Sequence, residues 1–186
     1  MAYPTQSGDV LTAATLNTFP LVRLFEGALG GSSYTVSNVF NSTYDAYRII
    51  CAPLGVDTVS NTRTLFLRMR TTFDDTGLNY AHSQYGHYGS TAFNGGASAQ
   101  NAMDVTTISY IVHGHLALDI MNPNLTAVTT VGGEGVSFQV NVGAYVHRSA
   151  IAGSVATLTN YTGFTLFHTG TEGLTGTIRV YGYNQA

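Results

Sequence analysis

The chain has 186 residues and a formal net charge of −3, and only 9% of its residues are charged, against about 25% in ordinary soluble domains. Lysine is absent, and the seven basic residues are Arg23, Arg48, Arg63, Arg68, Arg70, Arg148 and Arg179. With no basic cluster to displace counterions, this composition argues against an electrostatic nucleic-acid binder, and no apolar run reaches the ~18–20 residues of a membrane-spanning helix.

Polarity comes instead from Thr, Ser, Asn, Gly and Tyr. Such a surface arises by drift in composition, or from a subunit interface, where charge is depleted and Tyr and Arg are enriched; both readings stand at this level. A chain of this length buries roughly 70% of the surface its unfolded form exposes, enough for one domain with a proper core. The first five residues lack the basic and apolar regions of a signal peptide, so a soluble chain made in a cytoplasm is expected.

Residues 1–30 differ from the rest. Thr12 is placed to cap a short helix through Asn17, with Leu11, Leu16 and Phe19 on one side and Pro20 ending it. Leu21-Val22-Arg23-Leu24-Phe25 is a short apolar segment ahead of Gly30-Gly31-Ser32-Ser33, a turn or flexible joint. We read 1–30 as an N-terminal arm and 31–186 as the body.

The body reads as strands with little room for helices. Strands are predicted at Tyr34–Phe40, Tyr44–Cys51, Thr64–Thr71 and Leu78–Ser83. In the third, Leu65, Leu67 and Met69 share one face, the period of two that a half-buried strand needs. A polar segment from Gln84 to Asn101 is expected to be a long loop. Ser109–His113, His115–Met121, Thr126–Val131 and Ser137–Tyr145 follow, the last with Phe138, Val140, Val142 and Ala144 inward. Ala156–Thr159, Gly163–Thr169 and Thr177–Tyr183 complete the series. Roughly nine or ten strands at about 8–16-residue spacing indicate an all-β, antiparallel β-sandwich or barrel, with jelly-roll-like topology as the expected form.

Candidate functional residues are few. The Gln84–Asn101 segment is rich in Tyr, Ser, Gly and Asn, the residues of adaptable binding loops, and long loops are often functional. Tyr85, His87, Tyr88 and Phe93 are therefore candidate ligand or receptor contacts; an ordinary surface excursion, or a loop ordered by a neighbouring subunit, is the plainer reading. No nucleophile elbow and no phosphate-binding glycine loop is present, so no enzymatic activity and no cofactor are expected. Asp74-Asp75-Thr76-Gly77 reads as turn chemistry. Cys51 sits in the apolar run Ile49-Ile50-Cys51-Ala52, as a small buried hydrophobe. His113-Gly114-His115 could pair two imidazoles, but a glycine between them more often marks a bulge, and no metal is expected.

Several segments carry a resemblance. Tyr44-Asp45-Ala46-Tyr47-Arg48-Ile49-Ile50, then Thr64-Leu65-Phe66-Leu67-Arg68-Met69-Arg70 and Asn79-Tyr80, resembles the opening of β-sandwich proteins from tailed-bacteriophage particles. Gly176-Thr177-Ile178-Arg179-Val180-Tyr181-Gly182 is similar to their last strand. Gly8-Asp9-Val10-Leu11-Thr12-Ala13-Ala14-Thr15-Leu16-Asn17 resembles a start seen in phage tail and fibre proteins. Residues 84–160 match nothing of the kind.

Such proteins serve as capsid decoration (cement) proteins, head fibres, or tail-fibre and adaptor modules, commonly as homotrimers and with no shared active site. The resemblance implies a structural virion protein on the particle surface, made in the bacterial host cytoplasm. Its partners would be copies of itself and the major capsid protein or tail proteins. The arm would dock through Val10, Leu11, Leu16, Phe19, Leu24 and Phe25. A capsid decoration protein that stabilises the assembled shell is the leading expectation. The alternative is a short tail-fibre or receptor-binding protein contacting host surface carbohydrate.

Overall fold

Short alternating apolar runs, each closed by turn residues, can satisfy their backbone N–H and C=O groups by pairing with one another. A computed structural model describes residues 21–58, 62–109, 114–139 and 145–184. Among them the chain forms twelve strands and no helix. They are β1 (Leu21–Ala28), β2 (Ser33–Val36), β3 (Ala46–Val56), β4 (Arg63–Arg70), β5 (Tyr80–Tyr88) and β6 (Thr91–Gln100). β7 (Met103–Ile108), β8 (Gly114–Met121), β9 (Thr129–Gln139), β10 (Tyr145–Val155), β11 (Gly163–Phe167) and β12 (Leu174–Tyr183) follow. All pair antiparallel, in two sheets that form a β-sandwich. The larger sheet has eight strands in the order β1-β12-β3-β8-β9-β10-β5-β6; the smaller has four, β2-β11-β4-β7.

The core lies between the sheets. Leu65, Leu67 and Met69 of β4 are fully buried, as are Ile49 and Cys51 of β3, Leu116, Leu118 and Ile120 of β8, and Ile178 and Val180 of β12. Each such aliphatic side chain contributes about 1.5–3 kcal/mol of burial free energy. Phe40 packs between Tyr47 and Phe164, with centroids 4.6 and 5.7 Å away. On the outside of the smaller sheet, Phe66 stacks on Phe167 at 5.3 Å and the Arg68 guanidinium lies 4.4 Å from the Phe167 centroid.

Two glycines set how closely the sheets approach. A Cβ on Gly135 of β9 would come within 2.5 Å of Thr106 Cβ, and one on Gly153 of β10 within 2.5 Å of Met103 Cε. β7 therefore rests directly on the backbone of β9 and β10. Beyond β10 the larger sheet continues through β5 to β6, past the last strand of the smaller one. No residue of β6 is buried.

Because successive strands run up and down, the connections gather at two ends. The first end carries residues 37–45, 71–79, 122–128 and 156–162, the start of β1 and the end of β12. The second end carries 29–32, 89–90 and 168–173, where Gly31 turns at φ 64° and its carbonyl accepts from Leu174 N at 2.7 Å. At that end Arg63 holds the buried Glu172 by two hydrogen bonds, of 2.6 and 3.2 Å.

The structure departs from the sequence reading in several places, among them β10 (Tyr145–Val155), where no strand was expected. Residues 21–28 are an edge strand of the body, paired along β12; the register shifts between Arg23 and Phe25, so a bulge breaks the alternation that would have revealed a strand. The rest of the expected arm, residues 1–20, lies outside the described residues. Residues 84–101 are mostly strand, the β5–β6 hairpin; small polar residues have low strand propensity, and the ladder to β10 overrides it. β7 occupies Met103–Ile108, ahead of the strand expected at Ser109–His113, of which only Ser109 is described. β9 ends at Gln139, and within it Ser137 is buried while Phe138 takes the other face, because β7 leaves room only for small side chains there. Residues 156–159 form a connection, not a strand.

Burial isolates the single thiol. Cys51 is fully buried and loss of solvation pushes it up to about 12. A thiol reagent should leave the native protein unlabelled and label it stoichiometrically in denaturant, read by absorbance or mass; rapid labelling of native protein would contradict this placement.

Candidate functional site

The overhang of the larger sheet creates the site. Along β5, Tyr80, His82, Gln84, Gly86 and Tyr88 alternate toward the smaller sheet, while Ser83, Tyr85 and His87 point away. Register fixes their neighbours: His147 of β10 lies opposite Tyr88, and Phe93 of β6 opposite Gly86. β6 and β10 flank β5, so Phe93 and His147 start two strand spacings apart, about 9.5 Å. Gly86 has no side chain between them. The rings meet over it, 5.1 Å between centroids and 16° from parallel. A Cβ at Gly86 would stand 2.8 Å from Phe93 Cζ.

Thr107 of β7 and Thr62 face this pair across the step between sheets. Together with Gln84, Tyr88, Phe93 and His147 they line an open cavity of about 390 Å³, inside the ~300–1,000 Å³ range of small-ligand sites. The overhang is tied to the smaller sheet just below. Gln84 Nε2 donates to the Asp104 carbonyl at 2.9 Å, and His82 Nε2 lies 3.6 Å from Asp104 Oδ2. Burial raises the Asp104 carboxyl above its usual range, with His82 acting in the opposite direction.

None of the six described lining residues is an acid, a lysine or an arginine. His147 is buried, and loss of solvation lowers its pKa below 6.5, so the imidazole is neutral at pH 7. Its Nδ1 is buried without a hydrogen-bond partner. Such an atom costs about 1–3 kcal/mol and is uncommon in native interiors.

The four residues expected in a binding loop thus divide. Tyr88 and Phe93 line the cavity. Tyr85, which is 61% exposed, and His87 lie on the opposite face of the sheet, beside Arg148 and Ala150, around a second hollow of about 280 Å³. Gln84, Thr107 and His147 had no signal in the sequence, since they become neighbours only through long-range pairing. Of the six expected docking residues, Val10, Leu11, Leu16 and Phe19 lie outside the described residues. Leu24 and Phe25 are half-buried members of β1 packed against the core, which makes them sheet residues and not projecting anchors.

The acidic residues are mostly engaged in structure. Gly77 N donates to Asp75 Oδ1 at 2.9 Å, the turn expected of Asp-Thr-Gly, and Tyr161 donates to Asp75 Oδ2 at 2.5 Å. Asp74 accepts from Thr165. Among the described residues no three His, Cys, Asp or Glu side chains converge on a metal position; His113 is not among them. The sequence matches no protein-family model and no curated protein.

The depressed pKa of His147 has a stability consequence. As pH falls below about 6.5 the unfolded chain takes up a proton that the folded chain resists. The stabilisation from neutral His147 is complete above that pH and is lost as pH drops through the folded pKa. His147→Gln should flatten the fall in urea-unfolding free energy between about pH 7 and pH 5. An unchanged pH profile would contradict the assignment.

Proposed function

We propose that this chain is a structural protein of a tailed-phage particle, attached by its first end and projecting its second, in the role of a capsid decoration protein. The observation that carries this reading is the distribution of exposed apolar side chains. Phe73, Leu78, Met121, Leu125, Val128 and Leu158 are 80, 69, 40, 37, 41 and 61% exposed. All six stand on or beside the connections of the first end, where β1 begins and β12 ends. Grouping of this kind marks an interaction surface, since scattered apolar residues are ordinary but clustered ones are not. Leu21, to which the segment carrying Val10, Leu11, Leu16 and Phe19 is joined, lies at the same end.

Topology supports the phage reading at the level of architecture. Set aside the hairpins β5–β6 and β9–β10, and the remaining strands run β1-β12-β3-β8 and β2-β11-β4-β7. The nested pairs β1–β12, β2–β11, β3–β8 and β4–β7 support a jelly-roll reading of the sandwich. A decoration protein needs no catalytic group: by binding only the assembled shell it stabilises that shell by mass action.

Self-association fits the other uncovered surface. β6 is the last strand of its sheet, ten residues long, with no charge and no proline, and it is bulged only near its end, between Ala97 and Gln100. Proteins usually protect such an edge with charge, proline or a bulge, and residues 91–97 have none of these. A homotrimer that covers it accounts for the weakly charged surface as well. The second reading, a short tail-fibre or receptor-binding protein that contacts host carbohydrate, is favoured by the aromatic cavity at the opposite end.

Two outcomes are expected. Replacing Phe73, Leu78 and Leu158 together by Asp should abolish co-sedimentation with phage particles while leaving the melting temperature within a few degrees; undiminished co-sedimentation would remove the first end from the attachment surface. In sedimentation velocity the purified chain should run at three times its monomer mass. A monomer at every concentration tested would contradict the trimer.

A further inference from the structure

We infer that the cavity beneath the Phe93–His147 pair is a binding site for an uncharged pyranose unit, such as a neutral hexose within a surface polysaccharide. The inference rests on the cavity and not on the virion reading, although it names the ligand class that the receptor-binding alternative requires.

Charge makes the first selection. A charged ligand would give up part of its hydration to a site whose six described lining residues supply no counter-charge, and an unpaired charge taken from water is disfavoured. Phosphates, uronic acids and sialic acids are disfavoured on this ground. His147 does not supply the missing cation, because it is held neutral.

Shape and surface make the second. The Phe93 and His147 rings stack on one another, 16° from parallel, so each covers one face of the other and the pair offers an outer ring face and its edges. Such a face suits a flat apolar patch, and a pyranose presents one in the C–H groups on a face of its ring. A bare hydrocarbon is disfavoured by the rest of the lining, which is amide and hydroxyl: Gln84, Thr62, Thr107 and Tyr88. A hydroxyl-rimmed ring with an apolar face satisfies both kinds of wall at once.

One polar group is fixed before any ligand arrives. A carbonyl can only accept, so the Gln84 atom bonded to the Asp104 carbonyl is its NH₂ group. The amide orientation follows, and Oε1 is left as the acceptor that Gln84 can offer to a sugar hydroxyl. Preorganisation of this kind raises discrimination, because a ligand lacking the hydroxyl leaves the acceptor unpaired. The strap from Gln84 to Asp104 also holds the overhanging strands at a set distance from Thr107. Gly86 is then a specificity residue of an indirect sort: its missing side chain is what lets the aromatic pair form.

The test uses the full chain and a defined panel. Methyl glycosides of glucose, galactose, mannose and N-acetylglucosamine are titrated by ligand-observed NMR to ~10 mM, where a site of ~1 mM affinity is about nine-tenths filled. Glucuronic acid and adenosine are the charged and planar controls. At least one neutral glycoside should bind saturably, with its ring C–H protons receiving the strongest saturation transfer. Phe93→Ala should weaken that binding about tenfold, the equivalent of one aromatic contact. Thr107→Val, on the facing wall and nearly isosteric, should weaken it severalfold with an unchanged melting curve, so that loss of binding is not confused with loss of fold. Failure of all four glycosides to bind folded protein would overturn the inference. So would binding that survives both substitutions, or preferential binding of adenosine or glucuronic acid. Binding of a neutral glycoside by a chain that does not attach to particles would sustain this inference and defeat the virion reading alone.

Discussion

An eight-stranded sheet faced by a four-stranded one cannot be covered along its whole width, and most of what distinguishes this molecule follows from that mismatch. Where both sheets are present, the interior is an ordinary close-packed apolar core, built from β3, β4, β8, β11 and β12. Past β7 no described strand faces the same side of the sheet. The sequence meets this change abruptly. Large aliphatic residues give way to Gly135, Ser137, Ser149 and Gly153 under β7, then to Gln84, Tyr88, Phe93 and His147 beyond it. The second group is amphipathic, with apolar bodies that cover one another and polar atoms that reach a neighbour or solvent. The cavity is the space left at the step.

The same mismatch explains which parts of the fold were legible in the sequence. β4 and β8 are covered on one face only, so Leu65-Leu67-Met69 and Leu116-Leu118-Ile120 alternate cleanly and were readable at sight. β9 and β10 lie under β7 at backbone contact. Their inward positions mix Gly135, Ser137, Ser149 and Gly153 with the buried Val131, Ile151 and Val155, and the binary pattern is broken: in β9 the apolar residue Phe138 faces outward. β5 and β6 carry almost no buried aliphatic surface, so the hairpin resembles a loop in composition and owes its strand form to pairing with β10. The bulge at Arg23–Phe25 hid β1 for a different reason, placing the consecutive residues Leu24 and Phe25 both against the core. For the site, Tyr88 and Phe93 stood out as aromatic residues in a polar segment. Their grouping with His147 and Thr107 depends on pairing across some sixty residues and could not be read locally.

Up-and-down strand order also divides labour between two ends. The start of β1 at Leu21 and the end of β12 at Tyr183 both reach the first end, together with six exposed apolar side chains. The cavity lies toward the second end. A particle protein bound through the first end would carry the cavity outward, and under the proposal attachment and recognition use separate surfaces. That separation lets a decoration role and a sugar-binding role coexist on one chain: neither surface needs to change for the other to act. The low charge of the molecule suits both, since apolar and neutral polar contacts replace ionic ones at each end.

Orientation on a particle is therefore the most direct measurement. An electron cryo-microscopy reconstruction of a phage particle carrying this chain should place the 71–79 and 156–162 connections against the neighbouring particle protein, with Phe93 and His147 facing solvent. A reconstruction with the second end buried against the particle, or a particle from which the chain is missing altogether, would contradict the account.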